Sequence, residues 1–188
     1  MNIIVLTSEG NVTSRPDTTW EKDNEDFYVP EDIRSIKFAP VLFARISKPG
    51  RSIEEKFASR HYDAIGYGVF LYPSEYLDIP RQGWAYANCL DHTSFLPHPL
   101  FSPVTLSPET NRFELKKNGE SIFLHPADTM ESVEQAVSKV SAICYLRTGD
   151  FVVKELGAPE DLCSCTEKEV RICGTYCDNE TIDFKIIF

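Results

Sequence analysis

The 188-residue sequence predicts a β-rich α+β domain with one main amphipathic helix and a few short helical turns. Short apolar stretches rich in β-branched and aromatic residues recur along the chain, which is the pattern of strands. Twelve prolines and nine glycines punctuate it, leaving few segments long enough for helices. One stretch differs: from Met130 to about Arg147 the apolar residues Met130, Val133, Val137, Val140 and Cys144 fall at spacings of three and four, one stripe of a helix.

The first strand is Ile3 to Leu6, ended by Thr7. From Thr7 to Asp26 the chain is polar and acidic with scattered apolar anchors, and so short a polar stretch cannot enclose a core. Residues 1–37 are therefore expected to form an irregular N-terminal arm packed on a main domain of residues 38–188. Strands follow at Val41 to Ile46, Ala64 to Tyr72 and Ala85 to Leu90. Arg112 to Lys116 and Ser121 to Leu124 form a hairpin, because Asn118-Gly119 supplies two residues that tolerate positive φ. The helix comes next, with Asp128 and Glu131 as its capping box and Gly149 as its C-terminal stop. Strands at Phe151 to Leu156, Glu169 to Gly174 and Thr181 to Ile187 complete the chain, with Cys177-Asp178-Asn179-Glu180 as the last turn. In the final strand Ile182, Phe184 and Ile186 share one face, which predicts its buried side.

The sequence is 42% hydrophobic and 12% aromatic, enough for a core without disulfides or metal. Its 19 Lys and Arg against 29 Asp and Glu give a formal charge of −10. Such a surface repels phosphate backbones and anionic lipid head groups, so nucleic acid and membrane are set aside as partners. No apolar run approaches the roughly 18 residues of a membrane span. Ile3 to Leu6 has no basic residues before it, so no signal peptide is read and a cytoplasmic protein is expected. The six cysteines should then be reduced thiols. Four of them, Cys163, Cys165, Cys173 and Cys177, match a zinc site in number but not in the usual spacing of paired C-x2-C knuckles. A Zn2+-binding tail is the third-ranked reading.

From Phe38 onward a series of landmarks resembles the fumarylacetoacetate hydrolase family, over about 150 residues. They are Pro40-Val41-Leu42-Phe43 leading to Lys48-Pro49, the strand Asp63 to Leu71, Ala87-Asn88-Cys89-Leu90-Asp91 and Phe101-Ser102-Pro103-Val104. Lys117-Asn118-Gly119-Glu120, the helix carrying Met130, and Thr148-Gly149-Asp150-Phe151-Val152 complete the series. The resemblance implies a rolled mixed β-sheet, a homodimer, and a small anionic 2-oxo acid as substrate for isomerisation, decarboxylation or C–C hydrolysis. It also implies Mg2+ or Mn2+ held by three carboxylates, from a Glu-x-Glu strand and a later Asp; hard oxygen ligands suit such ions.

Carried over position by position, the resemblance places Asp91 at the later Asp and Asp63 at the first carboxylate, while the second has become Ile65. Arg45 and Lys48 both fit the basic residue that pairs the substrate carboxylate. His92 beside Asp91 is the candidate for proton transfer. Asn88 can fix the Asp91 carboxylate, and Lys154 and Glu155 stand where the family has a substrate-binding threonine loop. Glu155 joins Asp63 and Asp91 only if a cation or a basic side chain offsets the three charges. No water-activating His–Glu pair is visible before Pro40. The expected function is that of a metal-dependent enzyme of this family with an eroded site. The alternative is a non-catalytic binding or scaffold protein on the same fold.

Overall fold

The computed structural model describes residues 1–107, 111–126 and 129–188. The first 37 residues contribute β1 (Ile3–Leu6), β2 (Val12–Arg15), β3 (Trp20–Glu21) and β4 (Phe27–Tyr28), and the start of β5 (Ser35–Ile46). Then come α1 (Glu55–Ala58), β6 (Tyr62–Pro73), α2 (Ser74–Leu77), α3 (Gly83–Ala87) and β7 (Ser94–Phe95). The second half holds β8 (Phe113–Lys117), β9 (Glu120–His125), α4 (Met130–Ile143), β10 (Phe151–Glu155), β11 (Glu160–Ser164), β12 (Glu169–Tyr176) and β13 (Asn179–Ile187).

Two mixed sheets result, as expected of a β-rich α+β chain. The first runs β2-β1-β10-β5-β6-β7-β3, with β11 continuing along β5; the second runs β4-β13-β12-β8-β9. β1 lies parallel to β10, β3 to β7 and β4 to β13, and the remaining pairs are antiparallel. The long β5–β6 ladder reads as nearly continuous apolar sequence because the first sheet is covered on both faces. On one face Ile36, Leu42, Ile65, Tyr67 and Leu71 pack with α4 and the second sheet. There Phe95 stacks on Phe184 (3.6 Å between centroids) and Tyr67 on Phe113 (4.7 Å). On the other face Ile3, Val5, Val41, Phe43, Phe70, Tyr72 and Phe151 form a separate cluster, capped by Trp20, Leu77 and Leu100. At Gly68 of β6 a Cβ would run into the carbonyl oxygen of Phe95, so only glycine lets β7 approach there.

Both sequence-predicted turns form. Asn118 and Gly119 have φ of 50° and 89°, and Cys177 and Asp178 have 51° and 59°, pairs of positive φ that match the twist of their hairpins. The structure corrects three local expectations. Ala85 to Leu90 is not a strand: its first part belongs to α3, whose buried residues Gly83 and Ala87 are four apart as on a helix, while Trp84 and Tyr86 face outward. The main helix ends at Ile143, with Cys144 already extended, and Gly149 instead forms the turn into β10, donating its N–H to the Ile46 carbonyl. The helix N-cap is Thr129, whose side chain accepts from the Ser132 N–H; Asp128, expected in that role, lies outside the described residues. The polar strand β11, Glu160 to Ser164, is absent from the sequence-based expectation, because it borrows its order from β5 and carries little apolar pattern of its own.

Candidate functional site

The expected catalytic and metal-binding residues fall into separate places. At one end of the β5–β6 ladder, Arg45 donates two hydrogen bonds to Asp63, Nε to Oδ1 at 3.0 Å and Nη2 to Oδ2 at 2.9 Å. Both side chains are roughly half exposed. Ile65 is wholly buried in the core, and its backbone pairs with Phe101. Lys48 is exposed, with its backbone pairing that of His61. Arg45 and Asp63 thus satisfy each other, and Asp63→Asn is expected to cost under about 1 kcal/mol, as for other exposed ion pairs. Urea denaturation in low and high salt checks this, with the small difference fading in high salt.

Asp91 and His92 lie in the loop between α3 and β7. His92 has φ +56°, a left-handed conformation uncommon outside glycine. Its Nδ1 lies 3.3 Å from Oε2 of Glu21, whose other oxygen accepts the Asp23 N–H at 2.7 Å. Glu25, Asp26, Phe27, Tyr28, Pro30 and Leu90 join Asp91 and His92 around an open cleft of about 650 Å³. The imidazole is oriented by a carboxylate, but Asp63 and Ile65 do not line this cleft.

Glu155 and Asn88 belong to a third place, centred on a residue that sequence reasoning missed. Arg15, at the end of β2, is 1% exposed. It donates to the carbonyls of Leu71 (3.0 Å), Thr93 (3.2 Å) and Ala87 (3.3 Å) and to the Thr93 hydroxyl (2.9 Å). Its guanidinium lies over the Phe70 and Tyr72 rings, 4.4 and 4.9 Å from their centroids. Desolvation pulls its pKa down, while the fields of Tyr72 and Glu155 oppose that shift. Glu155, 3% exposed, accepts the Tyr72 hydroxyl at 2.6 Å and the Ser8 N–H at 3.0 Å. Burial raises its pKa, against the lowering effect of Tyr72, Ser8 and Arg15. Burial also pushes the Tyr72 phenol well up, so it remains a donor. Nothing in the pattern around Ser14-Arg15-Pro16 marks Arg15 as the inward-facing residue of a polar edge strand.

Lys154 points to the opposite face from Glu155, as neighbours on a strand must, and its amine bonds the Ser132 hydroxyl on α4. Asn88, the C-terminal cap of α3, lines a smaller cavity of about 170 Å³ with Thr7, Glu9, Asn11, Thr13 and Trp84. Its Nδ2 lies 3.4 Å from the Thr13 hydroxyl, and its buried Oδ1 has no partner among the described residues. Ser8, held by Glu155, belongs to the β1–β2 turn that walls this cavity. The network can therefore fix a turn and shape a small pocket.

The divalent ion that the sequence resemblance implies does not fit these residues. Its first carboxylate is occupied by Arg45, its second position is core, and Asp91 stands apart on a loop. Among the described residues no three His, Cys, Asp or Glu side chains are grouped as metal ligands. The tail cysteines are separate thiols, with Cys163 buried and Cys165 exposed. No helix among the described residues is long and apolar enough to cross a membrane.

No family model matches the chain, and no curated protein matches it in sequence. Solved structures match along its whole length. The fumarylpyruvate hydrolase of Pseudomonas aeruginosa, in complex with Mn2+ and pyruvate, superposes with a TM-score of 0.82 at 17% identity, covering 100% of this chain and 90% of its own. A protein of Yersinia pestis CO92 assigned to the fumarylacetoacetate hydrolase family gives 0.80 at 16%, covering 99% and 92%. The 2-hydroxyhepta-2,4-diene-1,7-dioate isomerase of Mycobacterium marinum gives 0.80 at 13%, covering 99% and 74%. The chain has the fold of these proteins, a curled mixed sheet with few helices, in agreement with the landmarks from Phe38 onward.

Proposed function

We propose that this chain is a non-catalytic binding protein built on the fumarylacetoacetate hydrolase fold. The observation that supports this reading is the fate of the strand expected to carry two metal-binding carboxylates: Asp63 is clamped by Arg45, and Ile65 is buried in the apolar core. Chelating a 2-oxo acid through a divalent ion needs converging hard oxygen donors, and Asp63 and Asp91 do not supply them together. Glu155, a buried carboxylate bonded to the turn that walls the smaller cavity, instead shares a network with a fixed guanidinium.

Calorimetric titration with Mg2+ and Mn2+, each with and without oxalate as an enolate mimic, is expected to give no saturable heat. Saturable Mn2+ heat that tightens with oxalate and disappears in Asp91→Ala would overturn the proposal. A second reading, an isomerase or decarboxylase of small 2-oxo acids, draws on His92 oriented by Glu21 beside Asp91 at the larger cleft. Turnover of a 2-oxo dicarboxylate abolished by His92→Ala would favour it over the first.

A further inference from the structure

β2 ends the first sheet, with β1 on one side and no strand on the other. The Thr7 N–H donates to the Asn11 carbonyl at 2.8 Å, and bonded pairs alternate along an antiparallel ladder. In the observed register Val5–Thr13 and Ile3–Arg15 are therefore the bonded pairs, so Val12 and Ser14 turn their N–H and C=O groups away from β1. Neither residue has a backbone partner on that outer side among the described residues. Ser14 is exposed and Val12 half-buried, which leaves the edge open.

Exposed edges are normally blunted by shortness, charge or a bulge, because their free donors and acceptors pair with other chains. The other edges of this fold follow that rule. β3 and β4 have two residues each. β9 opens with Glu120 and β11 with Glu160-Asp161, and each breaks its register with an extra residue, Ile122 and Leu162. β2 reads Val-Thr-Ser before Arg15, with no proline, bulge or outward charge, since the Arg15 guanidinium is turned inward. Its surroundings are uncharged as well. On the face of Val12 and Ser14 a cleft of about 440 Å³ is walled by Ile4, Ile143 and Tyr145, with no charged side chain in its lining. Ile143 and Tyr145 are 62% and 54% exposed, and on the opposite face Thr13 lies beside Trp84. Two copies of a chain of charge −10 repel each other, so an uncharged strip is where they approach at least cost.

We propose that two copies of this chain pair through β2, antiparallel and about a two-fold axis beside Thr13. The outward groups set the register. Val12 lies opposite Ser14 of the second copy and Ser14 opposite its Val12, each pair exchanging two N–H···O bonds, while Thr13 faces its own copy as a cross-strand threonine pair. Such an interface uses the same patch on both copies and closes at two. Ile143 and Tyr145 of each copy flank the added strand and lose part of their exposure. Two short strands and their flanks bury less than the roughly 1,200 Å² of ordinary stable interfaces, so the dimer is expected to be reversible. The pairing follows from this chain's own backbone groups and holds whatever the clefts bind.

Sedimentation equilibrium and amide hydrogen exchange on the intact chain test this. A reversible monomer–dimer equilibrium is expected below about 1 mM. Ser14→Lys places a charge on the exposed edge and should weaken the dimer at least about tenfold with an unchanged melting temperature. Ser14→Pro removes an outward N–H that the folded monomer does not use, and should weaken it likewise. At high concentration the Val12 amide should exchange at least about tenfold more slowly in the parent than in Ser14→Lys. The Thr13 and Arg15 amides, already bonded to β1, should exchange alike in both. A chain that stays monomeric at about 1 mM overturns the proposal, even if an added extended peptide slows the Val12 amide, since the edge would then belong to another partner. A dimer that both variants leave intact, or that leaves Val12 exchange unchanged, forms through another surface and overturns it too.

Discussion

Arg15→Met loses about 3–5 kcal/mol of unfolding free energy, the scale found when one side of a buried charged network is removed. Methionine fills much of the space but offers no donors. The carbonyls of Leu71, Ala87 and Thr93 would then face a thioether where they now accept N–H bonds at 3.0–3.3 Å. These bonds tie the β2 edge to β6, to the end of α3 and to the loop before β7, so the loss reaches three segments. The Phe70 and Tyr72 rings would also lose the guanidinium lying over them. Glu155 would lose a cation that lowers its pKa. Arg15→Lys keeps the charge but cannot reach several acceptors with a planar fork, so it should recover only part of the loss. Urea unfolding measures this, as a lower midpoint at unchanged slope. A loss below about 1 kcal/mol, the ordinary effect of a point change, would show that the guanidinium is dispensable.

Arg15 also shows where sequence reading stopped. Most strands after Phe38, both hairpin turns and the long helix follow from local rules: alternation in Ile182, Phe184 and Ile186, positive-φ pairs at tight turns, and the three-four spacing from Met130. These patterns act over a few residues, so a single chain displays them. The landmarks from Phe38 onward led to the right fold for the same reason. The site was less legible. Asn88 and Glu155 were singled out, but for a role beside Asp91 and Asp63, and the structure gives them other partners: Tyr72 and Ser8 for Glu155, Thr13 for Asn88. What links Glu155 to the end of α3 is Arg15, whose field acts on Glu155 and whose guanidinium bonds the Ala87 carbonyl; it comes from a strand whose sequence, Val-Thr-Ser-Arg, carries no apolar pattern. Its partners are backbone carbonyls of residues 56, 72 and 78 positions away in the chain, and any residue type supplies a carbonyl. The α3 error has a similar origin: alternating small and large residues from Ala85 to Cys89 imitate a strand, whereas in the fold Gly83 is buried together with Ala87 and Asn88, four and five positions on, as on one side of a helix.

Glu155→Gln is expected to lower stability at every pH from 5 to 8, and by more in acid than at pH 8. The carboxamide can still accept the Tyr72 hydroxyl, but it turns an NH2 group toward the Ser8 N–H, leaving a buried donor unpaired for about 1–3 kcal/mol. The pH dependence follows from linkage. Burial holds the folded pKa of Glu155 above its ordinary value, so the folded state binds a proton more tightly than the unfolded chain does. The resulting stabilisation is fully present below the unfolded carboxyl pKa and is lost as pH rises through the folded one. It amounts to about 1.4 kcal/mol for each pH unit between the two pKa values. The variant has no such proton, and the other titrating groups cancel in the comparison. The stability gap between the parent and Glu155→Gln should therefore widen as pH falls from 8 to 5. A gap that narrows in acid would mean that Arg15, Tyr72 and Ser8 together outweigh desolvation and hold the group as a carboxylate. Because Ser8 sits in the turn that walls the Asn88 cavity, its amide exchange should rise in the same variant. The buried carboxyl would then have two roles, answering a fixed cation inside the sheet and setting the shape of the pocket outside it.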